Sequence, residues 1–239
     1  MRRIGVSVMM TLAAAALCVG ATPARPAPGG GIWLEGLGSL NSYAMHDVNN
    51  DDVAGLNRSF NELGLSFDKI ESGTGLGVAV GVDLSRVGFG LGYERLGAAT
   101  KSGVPLDVLV AGYETPLIVD YKLPATALRG IVEFVIPTRG TAGARVGVAG
   151  GLVSMKGSIS ASVSSMSLLS LDYSGKGPLF EVYGSGQWWA APRVALTGSA
   201  GYRYAVVSEP KIEGVKVPGF SVDYSGFLVR AGVRLALTK

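Results

Sequence analysis

Apolar residues recur at every second position through most of the chain, the period of extended strands with two unlike faces. In the last stretch Phe227, Val229, Ala231, Val233, Leu235 and Leu237 share one face, while Leu228, Arg230, Gly232, Arg234 and Ala236 share the other. Residues 194–206 place Val194, Leu196, Tyr202, Tyr204 and Val206 against Thr197, Ser199, Gly201 and Arg203. The same alternation marks 32–40, 76–83, 87–94, 128–136, 146–153 and 180–188. It predicts about eight strands, each long enough to cross a hydrocarbon layer at the usual tilt. The connections alternate in length. Those at 84–86, 137–143 and 190–193 are short; those at roughly 44–69, 100–124, 157–176 and 208–221 are long. An even-stranded barrel with both termini on one side has this arrangement of three short turns opposite four long loops.

A soluble sandwich also alternates, so the second face decides. It is made mainly of Gly, Ala and Ser with one or two charges per strand, too few for a face in water. A narrow lumen wants small residues and a few paired charges, and at eight strands side chains just fill it. The candidate lumen charges are Glu35, Glu94, Glu133 and Glu181 with Arg129, Arg203, Arg230 and Arg234, four acids against four bases. Asp83 and Arg145, nearer strand ends, are candidates to join them. Trp33, Trp188 and Trp189 fall at strand ends on the short-turn side. Tyr43, Tyr93, Phe180, Tyr202, Tyr204 and Tyr224 fall toward the long loops, so two interfacial aromatic belts are expected. The parity of Trp33 and Trp189 points inward, and a one-residue bulge would turn either outward.

Composition then makes sense in the same terms. Charged residues are 16% of the chain, against about 25% in an average soluble domain. Glycine supplies 36 of 239 residues, about twice its usual share. Neither disorder nor a helical membrane protein fits, since net charge is low and no apolar run of about 20 residues follows the N-terminus. Gly75, Gly77, Gly81, Gly88, Gly90, Gly92, Gly147, Gly151, Gly201 and Gly232 fall on the proposed lumen face, where space is short. Gly36, Gly38, Gly150, Gly184 and Gly198 fall outward.

The N-terminus reads as a targeting segment. Arg2 and Arg3 precede an apolar stretch from Ile4 to about Val19, and Val19-Gly20-Ala21 is the small-x-small pattern of signal cleavage. Cleavage is expected after Ala21. Residues 1–21 are then a signal peptide, 22–31 a flexible lead-in and 32–239 the barrel domain. Leu17 stands before Cys18, where lipid attachment would need a small residue. The mature chain has no cysteine, which suits export and excludes thiol chemistry. Loss of Arg2 and Arg3 takes the basic residues from 21 to 19 against 18 acids, so no nucleic-acid partner is implied.

Signal, eight amphipathic strands, alternating loop lengths and a closing C-terminal strand together resemble the small eight-stranded bacterial outer-membrane barrels, a group that includes OmpA-like and OmpW-like proteins. The resemblance covers nearly the whole mature chain. It implies an all-β, eight-stranded antiparallel up-and-down transmembrane β-barrel in the bacterial outer membrane, with one short helix in the first long loop. It implies a monomer whose partners are outer-membrane lipid, lipopolysaccharide and the barrel-assembly machinery. Such barrels usually end in an aromatic residue, whereas this chain ends Leu235-Ala236-Leu237-Thr238-Lys239.

In the first long loop Val53, Leu56, Phe60 and Leu63 recur at helical spacing, with Asn50 as the expected cap and Asp51 and Asp52 at the positive end. The helix is expected to pack on the rim, or to act as a partial lid. Asp47 to Asp52 resembles the start of a calcium loop, but Asp52 stands where glycine is needed and Arg58 where glutamate is needed. His46 is the only histidine and has no nucleophile motif beside it. Gly88 to Gly92 has no helix after it and is not a nucleotide loop. The serine-rich stretch 154–174 is expected to extend a hairpin beyond the membrane, and Lys211, Glu213 and Lys216 are read as solvated loop charges. No catalytic residue, cofactor or metal is expected. The function expected is non-enzymatic, in envelope integrity or surface interaction. The alternatives are OmpW-like passive transport of a small solute, and a soluble secreted β-barrel that binds an apolar ligand.

Overall fold

The computed structural model describes residues 31–237 apart from 64–65, 107–114, 139–140 and 164–165. The Ala21 cleavage point and the lead-in up to residue 30 lie outside the described residues. The strands are β1 (Gly31–Ser42), β2 (Ser72–Leu84), β3 (Val87–Leu96), β4 (Ala99–Leu106), β5 (Thr115–Lys122), β6 (Ala125–Ile136), β7 (Ala142–Val163), β8 (Met166–Ala191), β9 (Val194–Ser208), β10 (Lys211–Ile212), β11 (Val215–Lys216), β12 (Ser221–Asp223) and β13 (Gly226–Ala236). Eight of them pair antiparallel in the order β1-β2-β3-β6-β7-β8-β9-β13, and β13 pairs back onto β1 through Trp33↔Ala236 to Asn41↔Leu228. The ring is closed, so its ladders leave no free edge.

Parity sorts the ring strands as the alternation requires. Leu76, Leu91, Leu128, Leu152, Val182, Val229 and Phe227 point outward, and Leu76 and Phe227 are 73% and 72% exposed. Glu94, Glu181 and Arg203 point inward and are fully buried. Outward Gly36, Gly184 and Gly186 would meet nothing if they carried a Cβ, whereas inward Gly147 would run into the Tyr183 ring.

The aromatic map needs correction at four residues. Tyr93, Phe180, Tyr202 and Tyr204 are exposed on the barrel wall, as expected. Tyr43 and Tyr224 are instead buried inside, ring edge to ring face at 5.6 Å, and the Tyr224 hydroxyl donates to the Leu123 carbonyl at 2.7 Å. Trp188 faces out, but Trp33 and Trp189 both stay inside. No bulge interrupts the pairing of Trp33 with Gly81 and Ala236. Trp33 is held by a hydrogen bond from Nε1 to Asp83 (3.1 Å) and by the Arg234 guanidinium 4.1 Å from its ring. A Cβ at Gly81 would occupy its space. A register irregularity does fall between Trp189 and Ala191, but it leaves Trp189 inward.

Three of the long connections are built from strands. Strands β7 and β8 run on together past the ring to Val163 and Met166. Strand β5 pairs with the extension of β7, β4 with β5, and the short β10–β11 hairpin with β8. The result is a six-stranded sheet, β11-β10-β8-β7-β5-β4, standing on the loop side of the barrel. Within 100–124 the described residues are therefore mostly the paired strands β4 and β5, added to an edge that the long hairpin would otherwise leave bare.

The first connection carries a helix, but not with the expected start. A π-helical turn (Val48–Val53) leads into α1 (Ala54–Phe60) and a last 3₁₀ turn (Asn61–Leu63). Asn50 lies within the π turn and does not cap it; its amide contacts the His46 ring. Asp47, at the helix start, makes no cap either. Its carboxylate instead accepts from the Ser221 amide and hydroxyl at 2.9 and 2.6 Å.

Candidate functional site

The ring interior holds two compartments of opposite chemistry. In the first, every ring strand contributes at least one charge: Glu35 from β1, Asp83 from β2, Glu94 from β3, Arg129 and Glu133 from β6, Arg145 from β7, Glu181 from β8, Arg203 from β9, and Arg230 and Arg234 from β13. The structure brings all eight residues singled out by parity into ion pairs, together with Asp83 and Arg145.

The pairs form two clusters. In one, Glu94 Oε2 accepts from Arg129 (2.6 Å), Arg230 (2.8 Å) and Arg203 (2.9 Å), while Glu181 Oε1 takes Arg230 (2.7 Å), Arg203 (2.8 Å) and Arg129 (3.1 Å). Ser39 donates to Glu94 at 2.6 Å, and Asn41 bridges Ser39 and Arg203. In the other, Arg234 joins Glu35 (2.7 Å) to Glu133 (3.2 Å), and Arg145 joins Glu133 (3.1 Å) to Asp83 in a two-point contact of 2.7 and 2.8 Å. Thr197 donates to Glu35, and Tyr183 to Glu133. The cationic partners are all arginine. Its rigid fork of donors lets one guanidinium serve two carboxylates, which a lysine point charge does less well.

Buried charge inside and exposed apolar side chains outside invert the order of a protein in water. A band of Leu, Val and Phe around a closed ring meets the demands of a hydrocarbon solvent, where every backbone group needs an internal partner. The chain is a transmembrane β-barrel.

The second compartment of the barrel lies at the loop end. Its wall is Leu96, Leu123, Ala127, Val153, Met155, Leu179, Ala205 and Val207, all fully buried. The loop helix packs Val48 and Val53 onto this cluster, with Leu56 and Phe60 at its margin, so it caps the compartment. Asn49 and Asn57 clamp the return chain with paired amide hydrogen bonds to the backbone of Ile70 and Phe67. Asp52 Oδ2 accepts from the hydroxyls of Tyr121 (2.6 Å) and Tyr173 (3.3 Å) on β5 and β8. Burial raises the Asp52 carboxyl above the usual Asp value of 3.8, although both hydroxyls pull the other way. Burial, with the Asp52 charge, pushes both phenols above their usual range. Sequence reasoning missed Asn49, Asn57 and this Asp–Tyr latch; helix spacing singles out the apolar face, and these polar partners are brought near only by the fold.

A cavity of about 40 Å³ lies among Trp33, Ile131, Tyr183, Gln187 and Arg230, room for a few waters. Buried Arg230 Nε and Gln187 Oε1 have no protein partner there. His46 is exposed on the cap, and among the described residues no group of His, Cys, Asp or Glu is arranged for a metal.

No family model matches the chain, and no curated protein matches it. Among solved structures it is similar to neisserial surface protein A (TM-score 0.49, 13% identity, 87% of this chain and 99% of that one). It is also similar to the outer membrane protein OprG from Pseudomonas aeruginosa (0.48, 11%, 90% and 98%). A third is the outer membrane protease OmpT from Escherichia coli (0.30, 10%, 91% and 99%).

Proposed function

We propose that the chain is a non-enzymatic barrel of the bacterial outer membrane, sealed along its axis, that serves envelope integrity and surface interaction. The observation that carries this reading is the arginine–carboxylate network, to which all eight ring strands contribute, under an apolar compartment capped by the loop helix. A conducting barrel needs a continuous wet path, and cross-linked ion pairs below a capped apolar cluster oppose one. The six-stranded sheet on the loop side gives the barrel a surface on which a partner can dock. The protein works as a monomer, delivered by the barrel-assembly machinery and surrounded by lipid and lipopolysaccharide. Passive transport of a solute gains no support from a cavity the size of a few waters. A soluble barrel would have to expose Leu76, Leu91 and Phe227 to water.

Membrane fractionation with gel mobility before and after boiling tests the location. The protein should stay in the outer-membrane fraction and shift on heating; recovery free in the periplasm defeats the reading. Planar bilayers test the seal. No steady large conductance is expected, and stable nanosiemens openings would exclude a sealed lumen.

A further inference from the structure

The outer edge of the apolar belt can be located strand by strand. The last exposed apolar residues toward the loops are Leu40 on β1, Leu76 on β2, Tyr93 on β3, Leu128 on β6, Leu152 on β7 and, beyond Phe180, Pro178 on β8. Just past them the outward positions become Ser42, Thr74, Arg95, Thr126, Ser154 and Lys176. On β7 the buried side is Val153 and Met155, and the next outward residue is Lys156. The cations fall on one sector only, the contiguous strands β3-β6-β7-β8; β1 and β2 carry hydroxyls alone at this level.

Register fixes how these groups stand together. Arg95 pairs with Thr126, Thr126 with Ser154, Ser154 with Lys176, and Lys156 with Ser174. Lys156 and Lys176 are therefore diagonal neighbours, about 7–8 Å apart at the backbone. Arg95 lies three strands away along the same row, roughly 14 Å. All three cations are exposed, and among the described residues none makes an ion pair. Two other loop-side lysines do have carboxylate partners: Lys122 pairs with Asp120 at 3.3 Å, and Lys216 faces Glu209 at 3.9 Å; Lys211 of β10 stands beside Ser174 in the row of Lys156. The nearest outward carboxylate on this sector is Asp172, diagonal to Lys156 on the side away from Lys176.

We propose that Arg95, Lys156 and Lys176, with the hydroxyls of Thr126, Ser154 and Ser174, form a binding site for the phosphates of lipopolysaccharide, whose acyl chains lie against Tyr93, Leu128, Leu152 and Phe180. The argument rests on the outer-membrane reading above, which puts the long-loop side in the outer leaflet. Unpaired cations at the edge of a hydrocarbon belt meet the phosphate layer of that leaflet, where each contributes to attraction. Two lysines flanking serine hydroxyls supply the charge and the donors a phosphate takes, and Arg95 reaches a second phosphate on the same row.

The test uses the full-length protein folded in detergent. Native mass spectrometry compares retention of bis-phosphorylated lipid A, dephosphorylated lipid A and phosphatidylglycerol by the wild type, by Lys156→Gln/Lys176→Gln and by Arg95→Gln. Bis-phosphorylated lipid A should be held at least about tenfold better than the other two lipids. The double variant should lose that preference and Arg95→Gln should weaken it. Both variants should keep the heat-shifted mobility of the folded barrel. If the double variant does not fold, Arg95→Gln alone decides. Unchanged retention by the folded variants overturns the site, and equal retention of phosphatidylglycerol overturns lipopolysaccharide as its ligand. A wild type that shows no heat shift and fractionates outside the membrane defeats the outer-membrane reading instead.

Discussion

Between residues 146 and 152 strand β7 turns its apolar side chains outward, and between 153 and 159 it turns them inward. Val146, Val148 and Leu152 are exposed while Arg145 and Ala149 are buried; farther on, Val153, Met155 and Ile159 are buried while Lys156, Ser158 and Ser160 face outward. The backbone does not change. Pairing with β8 runs without a shift from Ala142 to Ala161. What changes is the solvent. In the lower half hydrocarbon surrounds the wall and apolar groups gain nothing by hiding from it, so the interior is specified by charge pairing. In the upper half water surrounds the sheet, and the ordinary hydrophobic effect moves the apolar side chains inward. One strand serves both regimes because period two lets either face be the apolar one.

The largest expected effect tests the lower compartment. Glu94→Ala leaves three buried arginines short of a counter-charge and should cost about 3–5 kcal/mol of stability, read from urea unfolding in detergent micelles. A loss below about 1 kcal/mol would mean that water reaches these groups and that the lumen is not sealed. The same parity on the two halves of β7 gives a sharper contrast. Val148→Lys should cost about 2–4 kcal/mol in a bilayer, whereas Ser160→Lys should change stability by less than about 0.5 kcal/mol. Equal penalties at both positions would remove the boundary placed between Leu152 and Met155.

The Asp52 latch has a defined sign. Its folded carboxyl titrates above the usual 3.8, so between that value and the raised one the folded state holds more of the proton than the unfolded chain. Cap stability should therefore rise as pH falls through that window and decline as pH rises through it. Hydrogen exchange of the α1 amides reads the effect, and Asp52→Asn should flatten it. Protection that weakens on acidification in the wild type alone would contradict the assignment. The smallest effect belongs to the exposed Lys216–Glu209 pair. Lys216→Ala should shift the melting midpoint by less than about 0.5 kcal/mol equivalent, since wet, screened pairs contribute little.

Much of the ring is legible in the chain because lipid leaves the sequence few choices. Each of the residues Glu35, Glu94, Arg129, Glu133, Glu181, Arg203, Arg230 and Arg234 is a charge on the small-residue face of an alternating segment; the structure ion-pairs all of them and buries all but the half-buried Glu35. Trp33 and Trp189 follow the same parity; Trp33 stays inward because its indole fits over Gly81 and beneath the Arg234 guanidinium, a fit that parity alone does not show. The upper half is less legible for the reason β7 shows. The phase of the hydrophobic alternation reverses near Val153, so the apolar pattern breaks where the strand only changes solvent. Asn50 has the chemistry of a cap, but the chain is already helical before it. Asn49, Asn57, Tyr121 and Tyr173 find their partners 10 to 121 residues away, beyond the reach of any local pattern.

The sequence by itself determined the period, the two unlike faces and the balance of inward charge, because these follow from side-chain chemistry at fixed two-residue spacing. Tertiary structure decided which carboxylate meets which arginine, how the cap is latched and where the apolar face changes sides. Those depend on ring closure and strand register, which bring residues from all eight strands within hydrogen-bond reach and set the height at which hydrocarbon gives way to water.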